Sequence, residues 1–528
     1  MTRAEARTVA FMDLGTNSIR LLLVRIQPDY SYAVLTQLKQ MVRLGEGAFT
    51  HQHLQPHAID RAVCVARQFA QVARAHGAET IIAVATAATR EAVNQATFVQ
   101  RLQQEADLDV RVVSGLEEAR LISLGVVSGV HLSERQALFL DIGGGSTEVI
   151  IGTQHYQSYL GSLQLGALRL TSQFLADTCG AVASHQYEAL YQYVRRHAMH
   201  TLHELRTYRI DLAFGSSGTI ENLADIAVRH CLRRARQHDD VLTHAQLRQV
   251  VAMLRDLPLV SRRKVSGLHP ERADIIIAGA AILDVFMREL ALHEIRVSAR
   301  GVREGLLVDY LLKHGASSFL QKTSVRARSV WQLGRACQFD EAHARTTARL
   351  ALALFDSARH AGLHRFGAWE RELLEYTALL HHIGAFLTYT DYQAHTYYLI
   401  KHANLPGFDL TEIAIMAATA LYHRKVLPRK KCPVFAALDQ RAQQIVSIAS
   451  ALLCLAENLD RGHAGLIQGA RLCAVDTHHV ALHIDATHDC QVEVWGVQKH
   501  LAALQKVFGQ SLVIKVRQQH EPSIPARL

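Results

Sequence analysis

One pattern occurs twice in this chain, and no other feature restricts its fold as much. Ala10-Phe-Met-Asp-Leu-Gly-Thr-Asn-Ser18 can be laid over Leu138-Phe-Leu-Asp-Ile-Gly-Gly-Gly-Ser146, so that Asp13 falls on Asp141, Gly15 on Gly143 and Ser18 on Ser146, 128 residues apart. Each copy is an apolar run ending in aspartate, then a glycine turn carrying a hydroxyl, then a second apolar run. A spacing this long marks the duplication of a whole lobe rather than a solenoid unit. Two related lobes, each opening strand–turn–strand, imply a cleft between them, and that cleft is the natural binding site.

The turns suit an anion. Glycine lets the backbone turn tightly and approach a phosphate oxygen. Consecutive N–H groups form a nest for negative charge, and a Ser or Thr hydroxyl adds a donor. An aspartate at the strand end can hold a divalent cation, directly or through water. Either copy alone reads equally well as an ordinary hairpin. The pair does not.

Around the repeats, strands alternate with helices, which indicates an α/β architecture. Strands are expected at Val9 to Asp13, Ile19 to Ile26, Tyr32 to Leu44, Ile81 to Ala85 and Val110 to Val113, with helices at Ala58 to His76 and Glu91 to Ala106. From about Lys322 the texture becomes helical, with helices at Glu341 to Ala361, Glu370 to Phe386, Leu410 to Tyr422 and Arg441 to Asp460. After Leu472 alternation returns, with strands at Val480 to Ile484, Cys490 to Val497 and Leu512 to Val516 around a helix near Gln498 to Phe508. The expected domains are therefore lobe I at 1–130, lobe II at 131–320, a helical domain at 321–471 and a small α+β unit at 472–528. With 528 residues, several cores are needed.

Asp13-Leu-Gly-Thr-Asn-Ser18 and Asp141-Ile-Gly-Gly-Gly-Ser-Thr-Glu148 resemble the two phosphate motifs of the exopolyphosphatase / guanosine pentaphosphate phosphatase family. Thr89-Arg-Glu-Ala92, Ser114-Gly-Leu-Glu-Glu-Ala-Arg120, Gly215-Ser-Ser-Gly-Thr219 and Gly301-Val-Arg-Glu-Gly305 extend the match in order. The resemblance implies a duplicated ribonuclease H-like core of the actin and sugar-kinase type, hydrolysis of phosphoric anhydrides, and a homodimer. It makes Glu118 the general base, since attacking water must lose a proton. Ser114 and Glu117 fit a capping box, which gives Glu117 a structural task and leaves Glu118 without one. Asp13, Gly15, Asn17 and Ser18 in the first turn, and Gly143, Gly144, Gly145, Ser146 and Thr147 in the second, are the expected phosphate contacts. Arg90, whose guanidinium can fork two hydrogen bonds to phosphate, and Ser217, Gly218 and Thr219 complete the set. Asp141 and Glu148 are the expected Mg²⁺ ligands.

The helical part resembles an HD-type domain. His343, His381 and Asp460 fall on metal-ligand places, but His382 stands where the pattern has Asp. A neutral nitrogen there changes charge and metal preference, so a scaffold without catalytic metal is the alternative. His395 and His423 also match histidines of related chains.

The formal charge of +9 asks for an anionic partner, which could be nucleic acid, phosphate polymer or an acidic lipid surface bound peripherally. The resemblance selects inorganic polyphosphate or guanosine pentaphosphate, with no nucleic acid as substrate. Arg262-Arg-Lys264, His423-Arg-Lys425 and Pro428-Arg-Lys-Lys431 are candidate segments of a basic track for a long polyanion. A sensor that binds without turnover and an ATP-using kinase are the rival classes. The eight cysteines show no CxxC, and no apolar run reaches the ~18 residues that span a bilayer, so a reducing cytoplasm is the expected setting.

Overall fold

The computed structural model describes residues 6–175, 179–237, 240–316, 323–403, 405–424, 432–476 and 478–518. The chain divides into two compact units, Met1–Val325 and Arg326–Leu528.

Unit 1 contains two sheets. The first has strands β1 (Arg7–Leu14), β2 (Ser18–Ile26), β3 (Tyr32–Met41), β4 (Thr80–Ala85) and β5 (Val110–Val112), in the order β3-β2-β1-β4-β5. The second has β6 (Ala137–Ile142), β7 (Thr147–Gly152), β8 (Gln157–Leu163), β9 (Leu212–Ser216), β10 (Val241–Thr243) and β11 (Glu294–Val297), in the order β10-β11-β9-β6-β7-β8. Read from the other edge, β8-β7-β6-β9-β11 repeats the first order strand for strand, and β10 is an antiparallel addition. In each sheet the first three strands are antiparallel and the crossover strands run parallel to the opening strand. The two lobes that the repeat implied are thus present, in the duplicated ribonuclease H-like arrangement that the resemblance implied.

The expected third strand overran its true end. It stops at Met41 because the N–H groups of Val42 and Arg43 turn away to the Asn17 carbonyl, each at 3.0 Å. The expected helix at Glu91 to Ala106 begins only at Gln95, after a separate short turn Ala87–Arg90.

Glycine sets one crossing on which the site depends. Helix Gly115–Val127 packs on helix Val302–Lys313 so closely that a Cβ on Gly305 would stand 1.9 Å from the Leu121 carbonyl oxygen. A Cβ on Gly125 would stand 2.0 Å from the carbonyl oxygen of Gly301. Backbone meets backbone, and only hydrogen fits between.

Unit 2 joins helices to a three-stranded sheet of β12 (Ile467–Ala474), β13 (His479–Ala486) and β14 (Ser511–Gln518). Ile467, Leu472, Val480, Leu482 and Ile484 of the sheet lie in the same core as Leu354, Leu380, Met416 and Leu452 of the helices. Residues 472–518 thus share the helical core, and the sheet begins before 472. Two elements differ from expectation. The apolar residues after Cys490 form helix Gln491–Gln498 and not a strand, with 490, 493 and 497 buried at helical spacing while Val492 and Trp495 are exposed. The expected helix to Phe386 ends at Leu380 and resumes as a tight turn at Ile383–Phe386, where the Gly384 N–H is taken by the Thr396 hydroxyl. Among the described residues, no helix is long and apolar enough to cross a membrane, and all eight cysteines are free.

Gly305→Ala should force the two crossing helices apart at a cost of about 3 kcal/mol, as overpacking does. Faster amide hydrogen exchange in helix Gly115–Val127 is the expected readout; unchanged exchange would mean that the crossing tolerates a methyl group.

Candidate functional site

The two homologous turns close in the same way. The Gly15 N–H donates to the Ser18 carbonyl at 3.1 Å, and the Gly143 N–H donates to the Ser146 carbonyl at 2.9 Å. They also face each other. A Cβ on Gly144 would meet the Thr16 side chain at 2.9 Å, and one on Gly145 would meet Phe49 at 2.7 Å and Thr16 at 3.0 Å. The extra glycines of the second turn therefore make room for the first. Arg169 fastens the approach: its Nε donates to the Gly145 carbonyl at 2.8 Å and its Nη2 to both Glu91 carboxylate oxygens at 2.7 and 2.8 Å. Between the turns opens a cleft whose lining includes Asp13, Gly15, Asn17, Ser18, Gly143, Gly144, Gly145, Ser146, Ser217 and Gly218.

Register explains the second sheet's contribution. Asp141 of β6 pairs across to Glu148 of β7, Glu148 to Ser162 of β8, and Asp141 to Ser216 of β9. Directly opposed residues share a face, so the two carboxylates stand side by side with a serine outside each. The Ser162 hydroxyl donates to Glu148 at 2.8 Å and the Ser216 hydroxyl to Asp141 at 2.5 Å. In the first sheet the equivalent row is Asp13, Arg20 and Lys39. Where lobe II carries Glu148, lobe I carries Arg20. Duplicated backbones have taken opposite charge.

Glu118 joins this group from the first turn of helix Gly115–Val127. Ser114 caps that helix by accepting from the Glu117 N–H at 3.1 Å. The other half of the expected capping box is absent, because Arg120 takes the Glu117 carboxylate at 2.7 and 2.9 Å. Glu118 is 7% exposed and lines the cleft. Burial pushes its carboxyl up to about 7, against the opposing pull of Arg90. Burial likewise raises Asp13 to about 6 and lifts Asp141, while Glu148 is raised well above its ordinary value by burial and by repulsion from Glu118 and Asp141.

Several expected residues occupy other positions. Arg90 does not line the cleft; its Nη1 donates to Glu118 and to the Val113 carbonyl, each at 2.9 Å, so it tethers the carboxylate. Thr147 is buried and its hydroxyl donates to the Leu165 carbonyl. Thr219 is buried one residue behind Gly218, and the Ser217 hydroxyl donates to the Ile142 carbonyl at 2.6 Å. Ser217 holds φ +80°, a strained conformation for a residue with a Cβ, at the head of a helix that opens on the cleft. The Asn17 side-chain amide and Asp13 Oδ1 are buried without hydrogen-bond partners among the described residues. Buried polar atoms without partners ask for an explanation, and a polar ligand in the cleft supplies one. Sequence reasoning missed Arg20, Arg272 and Arg300 on the lining, and Ser162 and Ser216 behind it.

The basic runs are only partly available: Arg263 and Lys264 are exposed, but Arg262 and His423 are not. Arg262 is buried and donates to the carbonyls of Leu254, Leu257 and Ala273. His423 is buried against Glu457 at 3.1 Å. Lys425 and Pro428 to Lys431 lie outside the described residues.

In unit 2 the HD-like residues do come together. His343 Nδ1 lies 2.7 Å from Asp460 Oδ2, and the His343 ring centroid is 5.2 Å from that of His381 and 5.9 Å from that of His382. His381 Nδ1 faces the Ala378 carbonyl at 2.7 Å, and His395 is half-buried on helix Tyr392–His402. Burial depresses the His381 imidazole strongly and brings His382 down to about 4, so both are neutral near pH 7. Among the described residues, no three His, Cys, Asp or Glu side chains are arranged to hold a metal. Trp331, Trp369 and Trp495 all belong to unit 2, so fluorescence reports on this unit alone. Asp460→Ala strips His343 of its buried partner and should destabilise the unit by about 3 kcal/mol, seen as a lower urea midpoint by tryptophan fluorescence. An unmoved midpoint would reduce the pair to a bystander.

Comparison with known proteins agrees with this arrangement. Residues 23–314 match the Ppx/GppA phosphatase family, and residues 325–495 match Ppx/GppA phosphatase, domain III. The guanosine-5'-triphosphate,3'-diphosphate pyrophosphatase of Vibrio vulnificus (strain YJ016) is 31% identical over 425 residues, 79% of this chain and 81% of its own. The crystal structure of an exopolyphosphatase from Cytophaga hutchinsonii ATCC 33406 superposes with a TM-score of 0.54 at 26% identity, covering 60% of this chain and 99% of that one. An exopolyphosphatase-like protein of known structure superposes with a TM-score of 0.53 at 25% identity, covering 58% and 98% respectively. Matched across both units, and along most of its length by a relative of like size, this chain belongs to the Ppx/GppA phosphatase family.

Proposed function

We propose that the chain is an exopolyphosphatase, which removes the terminal phosphate of inorganic polyphosphate by attack of water. The observation that carries this reading is Glu118, buried in the same cleft as both anion-binding turns. Phosphoryl transfer is catalysed mainly by positioning and by charge neutralisation, and the cleft offers both. The turns present N–H groups to phosphate oxygens, and the helix beginning at Ser217 adds its positive end. Glu118 accepts the proton of water as the water oxygen bonds the terminal phosphorus. The bridging P–O bond breaks, and the shortened chain leaves with that electron pair.

The donor set fits magnesium. Asp141 and Glu148 stand side by side with raised proton affinity, and magnesium is commonly held by one or two carboxylates together with substrate phosphates and water. Bound there, the ion would supply charge to the phosphate oxygens. Glu148 is 1% exposed and already accepts from Ser162, so Asp141, on the cleft wall, is the more accessible ligand.

The same cleft and base suit the 5'-phosphate of guanosine pentaphosphate. That second reading is favoured by the Vibrio relative, named for its action on that nucleotide. Phosphate release from long polyphosphate and from the nucleotide, each with and without Mg²⁺, distinguishes them. Release from neither substrate would end both readings.

Glu118→Gln should abolish phosphate release while leaving polyphosphate binding intact; normal turnover would remove Glu118 from the base role. A base must be ionised, so the rate should rise with pH through the region of about 7 where Glu118 loses its proton. Arg90→Gln removes a cation that favours the ionised form, so the acid limb should move to higher pH. The loss should be about tenfold near pH ~6 and smaller near pH ~8.5. Equal loss at both pH values would mean that Arg90 acts otherwise.

A further inference from the structure

Most arginines around the cleft are paired. Arg43 meets Asp274 at 2.6 Å, Arg90 meets Glu118 at 2.9 Å, Arg120 meets Asp309 at 2.8 Å and Arg169 meets Glu91 at 2.7 Å. Three cations stand apart: the side chains of Arg20, Lys39 and Arg272 make no ion pair or hydrogen bond among the described residues. Arg20 and Arg272 line the cleft. Lys39 does not, yet it is the direct cross-strand neighbour of Arg20, and the two therefore share a face. It is exposed and lies near the edge of the sheet, because β3 is the outermost strand.

From this arrangement we infer that Lys39 is a distal subsite, a contact for phosphates several places back from the one removed. The inference rests on the polyphosphate reading of the cleft and extends it. Asp13, Arg20 and Lys39 occupy adjacent strands, so Lys39 stands about 9–10 Å from Asp13 measured across the sheet. A chain with its end between the two turns must leave the cleft over some surface, and this row replaces carboxylate by guanidinium and then by ammonium with distance outward. The equivalent row of lobe II moves from Asp141 to Glu148 to Ser162 and would repel the same chain. Like charge already presses on Lys39: partial desolvation, followed by Arg20 and Arg272, brings its amine down to about 8, and a bound anion would relieve that repulsion. Only a substrate long enough to cross the row gains from it, so Lys39 acts on length preference and not on the bond-breaking step.

The test uses full-length Glu118→Gln protein, in which turnover does not deplete the ligand, with and without Lys39→Met. Affinity is measured for long-chain polyphosphate and for tripolyphosphate over a range of salt. Lys39→Met should weaken long-chain binding about tenfold, as expected for one lost charge-assisted contact, and should move tripolyphosphate by less than about twofold. The slope of log affinity against log salt should flatten by about 0.7 for the long chain, the value for one phosphate contact on a single strand. Lys39→Arg should restore both. Equal weakening for the two ligands, an unchanged salt slope, or no weakening would each overturn the subsite. Failure of the hydrolase reading is separate: wild-type protein would then release no phosphate from polyphosphate, whatever Lys39 does to binding.

Discussion

Four carboxylates, Asp13, Glu118, Asp141 and Glu148, crowd the floor of one cleft, Glu118 and Glu148 buried and Asp13 and Asp141 half-buried on its wall, and unit 1 is built around that fact. Desolvation above all disfavours ionisation, and repulsion within the group adds to it for Asp13, Glu118 and Glu148, which is why every one of the four has a raised proton affinity. A fold does not keep such a group for stability, since apolar side chains of the same volume would pack there at lower cost. The compensations are specific. Arg90 meets Glu118, Ser162 meets Glu148 and Ser216 meets Asp141, while one oxygen of Asp13 has no partner among the described residues. The proposed cation and the protons of water would complete this partial compensation.

Duplication supplied the geometry, and divergence supplied the chemistry. Two lobes with the same strand order deliver two turns with the same internal hydrogen bond, and so two nests for anionic oxygen. Had the copies remained identical in charge, the cleft would have been either wholly attractive to polyanion or wholly repulsive. Instead the residue that follows the turn by two positions is Arg20 in one lobe and Glu148 in the other. On the function proposed above, one side of the cleft holds substrate and the other holds what acts on it.

Much of this was legible in the sequence, because the repeat is local. Asp13, Gly15, Asn17, Ser18, Asp141, Gly143 to Ser146 and Glu118 all sit in short motifs, and the structure gathers them in one cleft. Thr147 and Thr219 sit in the same motifs but are buried: strand alternation turns Thr147 away from the cleft, and Thr219, on a helix, packs against Gly279 of helix Ile276–Glu289. Arg20, Lys39, Ser162 and Ser216 were illegible for a different reason. Each belongs to the site through strand register, a pairing between segments up to 75 residues apart that no single-segment pattern carries. Arg90 was assigned to phosphate by residue type, and its actual bond to Glu118 is a long-range fact of the same kind. The alternation after Cys490 misled because Val492 and Val494 fit either period, and only burial of Cys490, Glu493 and Val497 decides for a helix.

The contact between the turns also limits how the cleft works. Gly144 and Gly145 already meet Thr16 and Phe49 with no room for a methyl group, so the lobes cannot close further at this point. Nor do they open freely, because Arg169 bonds both the second turn and Glu91, and Arg43 bonds Asp274 across the same gap. Large domain closure serves enzymes that must assemble a site around a small substrate and exclude water from it. On the polyphosphate reading proposed above, water is the nucleophile, and a polymeric substrate must keep one end outside. A cleft braced at its floor and open at its rim meets both demands, and its donors need no rearrangement when charge shifts on the phosphate, which is the condition under which fixed dipoles stabilise a transition state best.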